Sequence, residues 1–218
     1  MGEINRLVAS LIKSGLADDQ NNAYEKQQGS TDWLVSISGI NYLGSSLKDV
    51  PYVELYESLR ESRSFNVRML DGALIQLIYE FRDSVLLRHR LAYFPSPDLM
   101  EFQNDPGLYE QERIYADVIS KSTVTVPLRF DFDARPGVPV SVLHPVSHLT
   151  LGQYDACRIP VSAGVSPTGF FSFLLHSFYS KGTLAAGLSI PSITKLFPAT
   201  ISSAEQKLVH IGVPCLKR

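Results

Sequence analysis

The stretch from residue 64 to residue 94 constrains the fold more than any other part of the chain. Residues 64–70 alternate, with Phe65, Val67 and Met69 on one side, and Asp71-Gly72 follows at once. Side chains of a strand point to opposite faces in turn, so a period of two marks a half-buried strand. Glycine accepts the positive φ that a tight hairpin needs. Residues 73–82 read as the return strand, with Ile75, Leu77, Tyr79 and Phe81 on one face, and residues 84–94 as a third strand closed by Pro95 and Pro97. A three-stranded antiparallel meander is therefore expected, and with it a β-sheet as the frame of the fold.

Helical periodicity flanks this meander. Ile4, Leu7, Val8, Leu11 and Ile12 form one stripe that Gly15 can end. Asp49 and Pro51 signal the start of a short helix carrying Tyr52, Leu55, Tyr56 and Leu59. A third helix is expected from Pro167 to about Lys181, with Phe170, Phe171, Leu174, Leu175 and Phe178 as its apolar stripe and Gly182 at its end. Ser202 or Ser203 can cap a short helix from Glu205 to His210. Residues 18–31 are polar and read as a loop. Trp33, Val35 and Ile37 alternate as a strand ending at Gly39, residues 96–110 read as a loop, and 109–119 are ambiguous between helix and strand. Val124, Val126, Leu128, Phe130 and Phe132 alternate again, and Pro127 within that run argues for an edge strand or a bulge. The expected class is α+β: an antiparallel sheet with helices packed mainly on one face, in one domain over residues 1–218.

Composition sets the bounds on function. A chain of 218 residues with 44% hydrophobic and 19% charged residues can build one good core. The net charge of −2 supplies no global field for nucleic acid, although Arg82, Arg88 and Arg90, with His89 among them, can make a local patch or simply the solvated face of a strand. The two cysteines, Cys157 and Cys215, form neither a disulfide framework nor a zinc pattern. The N-terminus Met1-Gly2-Glu3-Ile4-Asn5-Arg6 lacks the pattern of a signal peptide, and no stretch approaches the roughly 20 apolar residues of a membrane span. A cytoplasmic protein without membrane contact is the expectation.

The dense polar constellation lies between Arg129 and Arg158. In Arg129-Phe130-Asp131-Phe132-Asp133 the arginine and both aspartates share one strand face while the aromatics take the core. His144-Pro145-Val146-Ser147-His148-Leu149 and Cys157-Arg158-Ile159-Pro160 follow. Three readings stay open. Asp131, Asp133, His144 and His148 have the donor types of a divalent-metal site, although Pro145 disfavours one helix carrying both histidines. Alternatively the cluster is a metal-free acid/base site: His144 and His148 move protons, Arg129 and Arg158 hold a phosphate, and Asp131 or Asp133 orients a histidine, a set suited to RNA cleavage by the 2′-hydroxyl. In the third reading Arg129 pairs with an aspartate, each histidine caps a turn and Ser147 bonds backbone, with no chemistry. His176 shares a helix face with Ser172, Tyr179 and Ser180 and faces either the cluster or solvent, and Cys157, despite its neighbour Arg158, reads as a structural cysteine. No phosphate-binding P-loop, dinucleotide fingerprint or nucleophile elbow is present, and the sequence leaves the cofactor unknown.

These motifs resemble those of a bacterial domain-of-unknown-function family. The likeness covers Arg129–Asp133, the run from His144 through Thr150, Leu151 and Gly152, the run Cys157-Arg158-Ile159-Pro160-Val161, and the Phe-rich segment ending Phe178-Tyr179. It extends over most of the chain, including the Asp71-Gly72 hairpin and Asp105-Pro106-Gly107-Leu108-Tyr109. The family carries no established activity. Some small bacterial toxin families similarly follow an Arg-x-Asp strand with a histidine-rich turn and are thought to act on RNA. The expectation is thus a nuclease-like or nucleotide-directed enzyme of a bacterial defence or toxin–antitoxin-like conflict system, with nucleic acid or nucleotide as partner and Arg129, Asp131, Asp133, His144, His148 and Arg158 as its site. The alternative is a non-catalytic module that binds a partner protein within a larger complex, through the sheet edge or an aromatic surface.

Overall fold

The computed structural model describes residues 1–38, 50–97, 126–154 and 156–216. Its frame is a nine-stranded sheet built from β1 (Ala17–Gln20), β2 (Tyr24–Gln27), β3 (Asp32–Ser36), β4 (Val67–Met69), β5 (Leu74–Arg82), β6 (Val85–Phe94), β7 (Leu128–Asp133), β8 (Ser147–Leu151) and β9 (Ile159–Pro160). The main order is β1-β4-β5-β6-β7-β8-β9, and every pairing between these strands is antiparallel. The expected meander is β4-β5-β6. Its first hairpin closes with Gly72 at φ 84, as a type I turn followed by a left-handed glycine requires. Gly72 N–H donates to Met69 O (2.9 Å) and Met69 N–H to Ala73 O (2.8 Å).

One edge of the long strand β5 is shared. β4 pairs with its start, Val67 opposite Ile75, and β3 with its end, Asp32 opposite Arg82. Between them the Asn66 side chain takes the place of a strand, accepting the N–H of Leu77 at 2.7 Å. β2 then extends β3 outward.

Two helices cover one face. α1 (Gly2–Lys13) buries Ile4, Leu7, Val8 and Leu11, and α3 (Pro167–Phe178) buries Phe170, Phe171, Leu174 and Leu175. They close over Ile75, Leu77 and Tyr79 of β5, Leu91 and Tyr93 of β6, and Phe130 and Phe132 of β7. Ser166 caps α3 by accepting Gly169 N–H (3.2 Å), with Pro167 in the first turn. Glu3 of α1 accepts both Thr168 N–H (3.0 Å) and its hydroxyl (2.6 Å), placing a carboxylate at the positive end of α3. On the opposite face, α2 (Tyr52–Glu61) covers one end alone, with Leu55, Tyr56 and Leu59 against Phe65, Leu74 and Phe94. Beyond α2 that face carries Gln76, Ile78 and Glu80 of β5, Arg88, Arg90 and Ala92 of β6, and Arg129, Asp131 and Asp133 of β7.

Four expectations need correction. Residues 18–31 are not all loop: they hold β1 and β2, whose exposed, polar side chains carry no alternation of hydrophobicity. Pro127 does not mark an edge; it precedes β7, which is flanked by β6 and β8. The third helix ends at Phe178 rather than near Lys181, because Tyr179 leaves the helical conformation, and α4 (Ser180–Ala185) carries Gly182 inside it. Tyr179 is buried and donates its hydroxyl to Asp71 (2.9 Å), an anchor that outweighs helix continuation. The helix expected over Glu205–His210 is a single 3-10 turn, Glu205–Lys207, whose N-cap is Ala204; Ser202 holds the turn from just before it, with Glu205 N–H donating to Ser202 Oγ (3.2 Å) and Ser202 N–H to Glu205 Oε2 (2.7 Å). The endings or starts assigned at Gly39 and Asp49, the loop beyond Pro97, the ambiguous 109–119 and residues 123–125 lie outside the described residues.

Candidate functional site

Strand alternation builds the site. On β7, Leu128, Phe130 and Phe132 are buried under α3, so Arg129, Asp131 and Asp133 emerge on the other face. The antiparallel registers then set three rows across that face. Arg90, Asp131 and His148 stand in one, Arg88 and Asp133 in the next, and Ala92, Arg129 and Thr150 in the third. The rows line a cleft of about 330 Å³ that also takes in Arg135, His144, Tyr154 and Arg158. All six residues singled out from the sequence reach this one cleft.

Asp131 is its pivot. Its carboxylate accepts Arg90 Nε (3.1 Å) on one oxygen and Arg129 Nε on the other, with its side chain 14% exposed. Burial alone would raise its pKa, but the guanidinium groups of Arg129 and Arg90 outweigh it and hold the acid at about 2. Burial in turn pulls the Arg129 guanidinium below its usual value, with Asp131 opposing and Arg90 and Arg158 adding to the pull. Asp133 sits at the rim, bound by Arg135 through Nε (2.9 Å) and Nη2 (2.6 Å) and near Arg88 (3.8 Å).

The two histidines differ. His148, on β8, is buried; its Nδ1 donates to Pro145 O at 3.0 Å, so its neutral form carries the lone pair on Nε2, 3.9 Å from Asp131 Oδ2. His144 projects from a tight loop bridged to Val140 and is half-buried, its ring edge-to-face with His148 at 5.2 Å between centroids. Burial lowers the pKa of both; Arg158 lowers His144 further, while Asp131 and Asp133 oppose. Arg158, just before β9, donates Nη1 to Leu143 O (3.3 Å). Both imidazoles are thus neutral near pH 7.

A family model described as an uncharacterized conserved protein (DUF2290) matches residues 16–213. The chain belongs to that family. Searches of curated proteins and of solved structures returned no match. Among the described residues of this DUF2290 chain no three His, Cys, Asp or Glu side chains come together as a metal site. Both aspartates are engaged by arginines instead. His176 lies on α3, across the sheet from the cleft, and its Nδ1 bonds Ser172 O at 2.8 Å. Cys157 accepts Leu151 N–H at 3.5 Å and is half-buried.

Arg88, Arg90 and Arg135 were missed as site residues. The sequence placed Arg88 and Arg90 on a solvated strand, and their alternation with His89 was the available signal. That β6 lies beside β7, which turns this alternation into a site, is a tertiary fact. Arg82, grouped with them, belongs elsewhere and pairs with Asp32 at 2.8 Å.

Proposed function

We propose that the cleft binds the phosphate of a nucleotide or single-stranded RNA and that His144 moves the proton in its cleavage. One observation carries this. Arg129 is steered through Nε by Asp131, its Nη groups make no hydrogen bond among the described residues, and it shares the cleft with Arg158 and a neutral His144. Among the described residues five arginines and two aspartates line the cleft, in a chain whose net charge is −2. A guanidinium fixed in a partly buried site binds a phosphate oxygen without reorganising.

His144 Nδ1 or Nε2, unprotonated, takes the proton of a 2′-hydroxyl. The 2′-oxygen forms a bond to phosphorus as the bond to the 5′-oxygen breaks, and that oxygen takes a proton from water. Arg129 and Arg158 offset the charge that builds on the phosphoryl oxygens. His148 and Asp131 are positioning residues: His148 supports the His144 ring edge, and Asp131 orients Arg129. The bacterial conflict-system setting rests on the analogy with the toxin strand and histidine turn alone.

The test is incubation of the full chain with fluorescently labelled single-stranded RNA in the presence of EDTA. The expected product is a 2′,3′-cyclic phosphate. His144→Gln should slow its formation by about 10² or more with binding retained. The rate should hold steady above pH 7 and fall on the acid side, below the ordinary imidazole value, because His144 titrates low. Intact RNA with the wild type removes the catalytic part of the reading; full activity in His144→Gln removes His144 from it.

A second reading has its own observation. Val140, Val142 and Leu143 are exposed beside the cleft, Leu143 at 72%. Such an apolar knuckle also fits the docking of a partner protein without catalysis.

A further inference from the structure

Tyr154 is an aromatic side chain that the core does not use. It is 74% exposed, yet it lines the arginine cleft. Its place is built rather than incidental. Gly152, at φ +63, accepts the ring against its backbone: a Cβ there would lie 3.3 Å from Tyr154 Cδ2 and Cε2 and 3.3 Å from Val126 Cγ1. Gly152 N–H donates to Pro127 O (2.7 Å), which ties this turn to the start of β7. Cys157 N–H donates to Tyr154 O (3.4 Å) and Leu151 N–H to Cys157 Sγ (3.5 Å), which close it from the other side. One part of the ring therefore leans on glycine while the remainder stands open to the cleft that Arg129 and Arg158 share.

We propose that Tyr154 is the platform on which a nucleobase stacks, so that the cleft takes a nucleoside phosphate rather than phosphate alone. The inference rests on the phosphate-binding reading of the same cleft. An open aromatic face beside a guanidinium cluster is the pairing by which single-stranded nucleic acids and nucleotides are held: every base has a π-face, and the arginines take the phosphate. The site thereby gains affinity for bases in general with little preference among them.

Isothermal titration of the full chain with inorganic phosphate, uridine monophosphate and a single-stranded pentauridylate tests this. Uridine monophosphate should bind roughly 5- to 150-fold more tightly than phosphate, the range that stacking of one base supplies. Tyr154→Ala should erase that ratio without changing the affinity for phosphate, and Tyr154→Phe should keep it. A further gain for pentauridylate would identify a polymer as the source of the base, and no gain a free nucleotide; both uphold stacking. Equal binding of phosphate and uridine monophosphate, or a ratio unchanged in Tyr154→Ala, overturns the role of Tyr154 and leaves the phosphate cleft standing. If neither ligand binds, the phosphate reading itself fails.

Discussion

His89 and His148 flank the same sheet from opposite faces, and burial lowers the pKa of both against the opposing charge of Asp131. His148 keeps Asp131 within 3.9 Å, a counter-charge for its protonated form. His89 lies between Tyr79 and Phe132 under the helices, where its Nε2 accepts Val165 N–H at 3.0 Å. Burial drives its pKa down to about 4. The unfolded chain takes up this proton near 6.5 and the folded one near 4. Stability from His89 is therefore complete above pH 6.5 and is lost as pH falls towards 4. By linkage the loss between pH 7.5 and 4.5 is roughly 2–3 kcal/mol. Urea unfolding at these two pH values should show that drop in the wild type. In His89→Gln, whose carbonyl oxygen still accepts from Val165, the drop should shrink by about the same amount. Equal drops in both proteins would place the acid lability elsewhere, with His148 next in line because its shift has the same sign.

At the scale of elements, the segment between β9 and α3 is held down on the helix-covered face at Val165 by two bonds, Val165 N–H to His89 and Tyr79 hydroxyl to Val165 O (2.9 Å), and at Ala163 by the Ser147 hydroxyl (2.8 Å). Gly164 allows the approach, since a Cβ there would lie 2.6 Å from Leu86 Cδ2 and 3.3 Å from Phe197 Cδ2. Gly164→Ala should cost about 1–3 kcal/mol in urea unfolding, as overpacking does. Gly212→Ala, with nothing within 4 Å of its Cβ, should stay near the wild type. Similar midpoints for both variants would show that Leu86 yields. No sequence pattern announces Gly164, because its neighbours come from β6 and from residues far along the chain. The elements that were legible are those whose pattern and environment coincide: α1, β5 and β6 each set apolar side chains at the period of their own geometry. β1 and β2 were missed because their side chains are largely polar and exposed, so only their backbone pairing defines them. The break at Tyr179 was missed because the buried partner that dictates it, Asp71, lies 108 residues earlier.

At the scale of the whole molecule, the site separates in the same way. Arg129, Asp131 and Asp133 could be read together because they alternate on one strand, whereas their partners Arg88 and Arg90 depend on which strand lies beside β7. Among the described residues five arginines and two aspartates line the cleft of a chain of net charge −2, a local balance that the average composition conceals. This local field also separates the two functional readings. If two or three phosphates engage the cleft, the logarithm of pentauridylate affinity should fall with that of salt at a slope of about −1.5 to −2. Between 50 and 200 mM salt that amounts to roughly 8- to 16-fold weaker binding, and Arg129→Gln should flatten the slope by about 0.7. A partner docked on Val140, Val142 and Leu143 buries apolar surface instead, and such contacts hold or tighten as salt rises. Pentauridylate binding that ignores salt, or a slope that Arg129→Gln leaves intact, would move the weight of function from the cleft to the knuckle beside it.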